Sequence, residues 1–178
     1  IVDEIQAGFG RTGKLFGYEH YNIKPDLVIC GKAISGNLPL SAVLGSKKLI
    51  ELDSTTSSTH GGHPFSCAAA LGNLETLTEQ NLIKRSNKLG KKLKMWLEQW
   101  KSEFPDRIPL VLGNGLVWAI FISKPDSNIL DAELTDKIIE KGMQKGVYVL
   151  RTGCGTIKLG PPLTINEKAL KEGVDVLR

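Results

Sequence analysis

The chain of 178 residues is 41% apolar and 24% charged, an ordinary globular composition that excludes disorder, collagen and a disulfide-built mini-protein. With 23 Lys+Arg against 19 Asp+Glu the formal charge is +4. The basic residues form only short groups, such as Lys91-Lys92-Lys94 and Lys47-Lys48, so a nucleic-acid partner is not expected.

In chain order, the pattern predicts a strand near Ile1 to Ile5, a Gly-rich loop over Gly8 to Gly17, and a strand at Leu27 to Cys30. A Gly/Pro-punctuated loop then leads to a short strand at Ser41 to Gly45, and a polar loop from Asp53 to Pro64 precedes an Ala- and Leu-rich helix over Ser66 to Glu79. Asn81 can cap a second helix, Leu82 to Glu103, in which Leu89, Leu93, Trp96, Leu97 and Trp100 share a face and the lysines occupy the other side. The last third reads as a strand (Leu116 to Ile122), a helix (Ala132 to Lys145), strands at Tyr148 to Arg151 and Thr156 to Leu159, and a helix capped by Asn166. The longest apolar run, Ile108 to Ser123, is broken by Gly113, Asn114 and Gly115. It falls short of the roughly 20 apolar residues a spanning helix needs, and no membrane role is expected.

The chain opens on Ile1-Val2, as in the middle of a strand, and ends on a helix without a C-terminal cap signal, so it reads as part of a longer protein. Cys30, Cys67 and Cys154 are an odd, widely spaced set that suits a reducing compartment, and the expected location is cytoplasmic.

Three groups of residues could carry chemistry. Gly8-Phe9-Gly10-Arg11-Thr12-Gly13 fits the dinucleotide-binding pattern, yet Lys14 to Tyr21 lacks the helical stripe that should follow, so the match is treated as a decoy. His60, His63 and Cys67 have spacings open to metal ligation, but Gly61, Gly62 and Pro64 interrupt the helix, and no metal is expected. Lys32 directly follows the apolar run Leu27-Val28-Ile29-Cys30, and Asp3 follows Ile1-Val2. An acid and an amine at neighbouring strand ends admit two accounts: a salt bridge, or a site where the amine forms a Schiff base and the acid partners a protonated pyridine nitrogen.

The ordered motifs choose between them. Asp3-Glu4-Ile5-Gln6-Ala7-Gly8-Phe9-Gly10-Arg11-Thr12-Gly13, Lys24-Pro25-Asp26-Leu27-Val28, Gly31-Lys32, Leu38-Pro39-Leu40-Ser41-Ala42-Val43, Thr59-His60-Gly61-Gly62-His63-Pro64 and Lys158-Leu159-Gly160-Pro161-Pro162-Leu163 together closely resemble the class III, pyridoxal-phosphate-dependent aminotransferases. The resemblance implies an α/β fold, part of the type I pyridoxal-phosphate-dependent transferase fold. Residues 1–81 would be the C-terminal part of the cofactor-binding large domain with its connecting helix, and 82–178 the small C-terminal domain.

It also implies roles. Lys32 would form the internal aldimine and shuttle a proton, and Asp3 would keep the pyridine nitrogen of pyridoxal phosphate protonated. Ile5 would pack on the ring face, Gln6 would contact its phenolic oxygen, and Thr59 would bind the phosphate of the partner subunit's cofactor, which makes a homodimer the expected unit. Lys158 stands where many members carry an arginine for the substrate carboxylate; it would bind as a point charge without the planar fork, and Arg151 is a candidate to compensate. His63 replaces a frequent Asn.

The activity implied is transfer of an amino group between a small-molecule amine or amino acid and a keto acid. The isolated chain is expected to be nearly inactive, because the family's N-terminal half contributes much of the site. The alternatives are an aminomutase or amino-acid racemase on the same scaffold and a non-enzymatic, degenerate interaction module. Retention of Asp3, Gln6, Lys32 and Thr59 together argues against the last.

Overall fold

Hydrophobic period and turn chemistry account for most elements of the computed structural model, which describes residues 1–51 and 58–178. Much of the expected loop from Asp53, through Ser57, lies outside the described residues. The chain divides into two compact units, Ile1–Arg85 and Ser86–Arg178.

In the first unit β1 (Val2–Asp3), β2 (Leu27–Cys30) and β3 (Ala42–Gly45) form a sheet in that order. β1 runs parallel to β2, with Asp3 opposite Ile29, and β3 runs antiparallel to β2, with Cys30 opposite Ala42. β1 is shorter than the sequence suggests. After Glu4, whose N–H still bonds Ile29 O at 2.8 Å, the chain turns, and Gly8 N bonds Glu4 O at 3.0 Å. The Gly-rich segment that follows bends through left-handed residues, Phe9 at φ 56° and Gly10 at φ 87°. It ends in a single 3-10 turn, Gly17–His20, not in the long helix that a dinucleotide site needs.

A second 3-10 turn, Lys32–Ile34, follows β2, and α1 (Lys47–Ile50) follows β3. The helix expected from Ser66 begins two residues earlier: α2 spans Pro64–Glu79, with Pro64 in the first turn, where a missing N–H costs nothing. Asn81 takes φ 51°, and its carbonyl accepts from Arg85 N at 3.0 Å.

α3 (Leu82–Glu103) has the bounds its sequence predicts. In the second unit its Leu89, Leu93, Leu97 and Trp100 are buried, while Lys88, Lys91 and Lys94 are exposed. Met95, interleaved with the lysines, is exposed as well. The sheet is antiparallel in the order β4-β5-β7-β6, from β4 (Leu110–Asn114), β5 (Val117–Phe121), β6 (Leu150–Thr152) and β7 (Thr156–Leu159). Val111, Trp118, Ile120, Ile157 and Leu159 pack with α3 and with Leu170, Val174 and Leu177 of α5 (Glu167–Leu177) in one core. Burying each large aliphatic side chain contributes about 1.5–3 kcal/mol. Leu134, Ile138 and Ile139 of α4 (Ala132–Gln144) close its margin.

Both final helices start on side-chain caps: Asp131 accepts from Leu134 N at 2.9 Å and Asn166 from Ala169 N at 2.7 Å. β4 has no counterpart in the sequence reading. Gly113, Asn114 and Gly115, read there as interruptions, are the end of one strand and the start of a hairpin turn, in which Asn114 pairs with Val117 and Gly115 takes φ 54°. Gly115 also receives α3, since a Cβ on Gly90 would stand 2.4 Å from Gly115 O. Among the described residues no helix is long and apolar enough to cross a membrane.

Candidate active site

Parallel pairing brings the carboxyl ends of β1 and β2 together, and an open α/β sheet offers ligands its strands' carboxyl ends. Asp3 is the last residue of β1, and Lys32 stands two residues beyond the end of β2. Both side chains are exposed. Asp3 Oδ1 accepts from Ile5 N at 2.9 Å, which fixes the carboxylate against its own turn. Ile5 in turn lies against the chain just before Lys32: a Cβ on Gly31 would meet Ile5 Cγ2 at 3.3 Å and Cγ1 at 3.4 Å. Asp3, Ile5 and Lys32 thus share one end of the sheet.

Gln6 is exposed in the turn after Ile5, and Thr59 is exposed in the turn that precedes α2. Lys158 belongs to the second unit, on β7, where it pairs with Ala119 and Leu150. Arg151 on β6 is already engaged: its Nε donates to Asp136 Oδ1 at 2.6 Å and its guanidinium also reaches Gly153 O at 2.9 Å. Those bonds use two of its five N–H donors and hold the guanidinium toward α4 and the turn after β6. The rings of His60 and His63 are 6.4 Å apart by centroid. Among the described residues no group of three or more His, Cys, Asp or Glu is placed to hold a metal ion.

Glu4 has a role that the residue pattern does not announce. Its side chain is 3% exposed, and Oε2 and Oε1 accept from Gly17 N and Tyr18 N, each at 2.8 Å. The buried carboxylate therefore ties the end of the Gly-rich loop to the strand end beside Asp3. An acid next to a glycine loop is the only signal for this in the sequence, because its partners are backbone N–H groups. Two shifts fall within the first unit. Burial, followed by the charge of Glu4, pushes the Cys30 thiol up, and burial lowers the Arg11 guanidinium below its ordinary value.

Glu4→Gln keeps one acceptor but turns an NH2 toward the second backbone N–H, so it should destabilise the loop anchor by about 2 kcal/mol. Hydrogen exchange at the Gly17 and Tyr18 amides should accelerate while the core amides of α3 keep their protection. Unchanged exchange at those two amides would count against the anchor.

Compared with known proteins, residues 1–178 match the sequence model of the family described as Aminotransferase class-III. A 4-aminobutyrate aminotransferase of Mycobacterium leprae is 38% identical over 181 residues, which cover 99% of this chain and 40% of the relative. An ornithine aminotransferase of Emericella nidulans is also 38% identical, over 100% of this chain and 38% of its own length. Among solved structures, an S-selective transaminase from Arthrobacter sp. with alanine bound superposes with a TM-score of 0.88 at 31% identity, over 98% of this chain and 42% of that one. The acetylornithine aminotransferase of Elizabethkingia anophelis gives 0.86 at 34% identity, over 98% and 43%. The mixed α/β fold is that of these transaminases, and the chain spans about two fifths of the length of the relatives it matches.

Proposed function

This chain belongs to the class-III aminotransferases, and from that premise we propose that the protein moves an amino group between an amine or amino acid and a keto acid, with pyridoxal phosphate as cofactor. The observation that carries this reading is the convergence of Asp3, Ile5 and Lys32 at one end of a parallel strand pair. The donor set fits the cofactor: a primary amine for an aldehyde, a carboxylate for a pyridine nitrogen, and an apolar side chain for a ring face.

When bound, pyridoxal phosphate supplies an aldehyde that takes up an amine and a protonated ring that accepts electrons from a deprotonated carbon. Lys32 Nζ would be the amine that holds the aldehyde, and as a free amine it would take and return the proton at the substrate carbon as a general base and acid. Asp3 holds the proton at the pyridine nitrogen, where opposite charge favours the protonated form. Ile5 shields one ring face from water, and the Gln6 amide donates toward the ring's phenolic oxygen. Thr59 offers its hydroxyl to the phosphate of the cofactor held by a partner subunit, which makes a homodimer the working unit. Lys158 attracts the substrate carboxylate as a point charge. Residues 1–81 act as the C-terminal part of the cofactor-binding domain and 82–178 as the small domain, and the protein works in the cytoplasm.

The relatives are more than twice as long as this chain, so the 178 residues alone should bind the cofactor weakly and turn over little. The test uses the protein expressed from its whole reading frame, with pyridoxal phosphate, 2-oxoglutarate or pyruvate as acceptor, and 4-aminobutyrate, ornithine, acetylornithine and alanine as donors. A new amino acid formed from the keto acid is the expected result. Conversion of an amino acid that proceeds without a keto acid would instead indicate an isomerase, and binding of the cofactor with neither reaction would overturn catalysis.

A further inference from the structure

The turn that carries Lys32 has little backbone support of its own. It is a three-residue 3-10 segment, Lys32–Ile34, defined by Ile34 N bonding Gly31 O at 3.1 Å. Such short turns leave carbonyls pointing outward with no further turn to receive them. Lys32 itself takes φ 42°, a left-handed conformation that costs a side-chain-bearing residue about 1–2 kcal/mol. A strained residue keeps its conformation only where its surroundings hold it.

The restraint comes from α2. Asn73 Nδ2 donates to Ala33 O at 2.7 Å and reaches Ile34 O at 3.4 Å, across some forty positions of sequence. Its Oδ1 lies 3.3 Å from the place a Cβ on Gly36 would occupy, and Gly36 closes the turn at φ 76°. On the other side, the buried Ser35 hydroxyl donates to Leu38 O. Asn is a poor choice for the middle of an Ala- and Leu-rich helix on propensity alone, so its amide is explained by what it holds.

We propose that Asn73 is the positioning residue for Lys32: its side-chain amide pins the two carbonyls after the lysine and so fixes where Nζ is presented. This rests on the reading of Lys32 as the amine that takes up the cofactor. Asp is isosteric with Asn but has no N–H to donate when ionised, and Ala removes the group altogether.

The experiment uses the protein from its whole reading frame, in three forms: parent, Asn73→Asp and Asn73→Ala. Pyridoxal phosphate is fixed to the protein by borohydride at successive times after mixing, and the modified residue is located by peptide mass spectrometry. Separately, hydrogen exchange is followed at the Ile34 amide without cofactor. Both variants should be modified at Lys32 about tenfold more slowly than the parent, and the Ile34 amide should exchange about tenfold faster, as expected for a lost part-buried hydrogen bond. Exchange within α2 should be unchanged.

Parent protein modified at Lys32 together with variants at the parental rate and with parental Ile34 exchange would overturn the role of Asn73. So would parental behaviour in Asn73→Asp alone, since shape would then suffice without the N–H. A parent that takes no cofactor on Lys32 would overturn the underlying reading of that lysine instead.

Discussion

Lys32→Ala, in the protein expressed from its whole reading frame, should lower kcat for amino transfer by about four orders of magnitude, at the upper end of what one general acid and base contributes. The loss is this large because one amine does two jobs. In the proposed function it would bind at the cofactor's aldehyde and would also carry the proton at the substrate carbon. Alanine is the informative replacement. It keeps the Cβ that Lys32 holds at φ 42°, so the backbone strain of the turn is the same in parent and variant, whereas glycine would relax the turn as well as remove the amine. Because the side chain is exposed, stability should hardly change, and the melting temperature checks that. A variant that keeps more than about one hundredth of parental kcat would remove Lys32 from the chemistry.

Asp3→Asn should reduce kcat by about 10²–10³-fold, the usual effect of deleting one electrostatic stabiliser of developing charge. The substitution separates charge from shape. An asparagine oxygen can still accept from Ile5 N, the bond that Asp3 Oδ1 makes at 2.9 Å, so the turn beyond β1 is preserved. What would be lost is the negative charge that the proposed function sets beside a pyridine nitrogen, and with it the preference for the protonated ring. Parallel measurement of cofactor affinity distinguishes the two effects: kcat should fall far more than binding weakens. If kcat stays within threefold of the parent, Asp3 serves only its own turn.

How much of this was legible before the fold was known depends on where each signal resides. β2 and β7 have the bounds their sequences predict, and α3 buries Leu89, Leu93, Leu97 and Trp100 because a single period of 3.6 places them together. β4 was missed because Asn114-Gly115 reads equally well as an interruption, and only pairing with β5 makes it a hairpin. The positions of Asp3 and Lys32 at strand ends followed from local pattern, whereas their adjacency required the parallel register of β1 on β2. Gln6, Thr59 and Lys158 came from resemblance alone. Glu4 and Asn73 escaped notice for a common reason: each bonds backbone groups 13 or more residues away, and such partners leave no trace in residue type.

The bonds of Glu4 give its segment a property that bulk charge does not record. Asp3 and Glu4 are successive acids, one facing solvent and one sealed inside. Exchanging their order would leave the composition and the formal charge of the chain unchanged. Yet it would put the shorter arm where two amides wait at a fixed reach and the longer one where Asp3 now bonds its own turn. Two residues of like charge are here as little interchangeable as a tent peg and a tent pole.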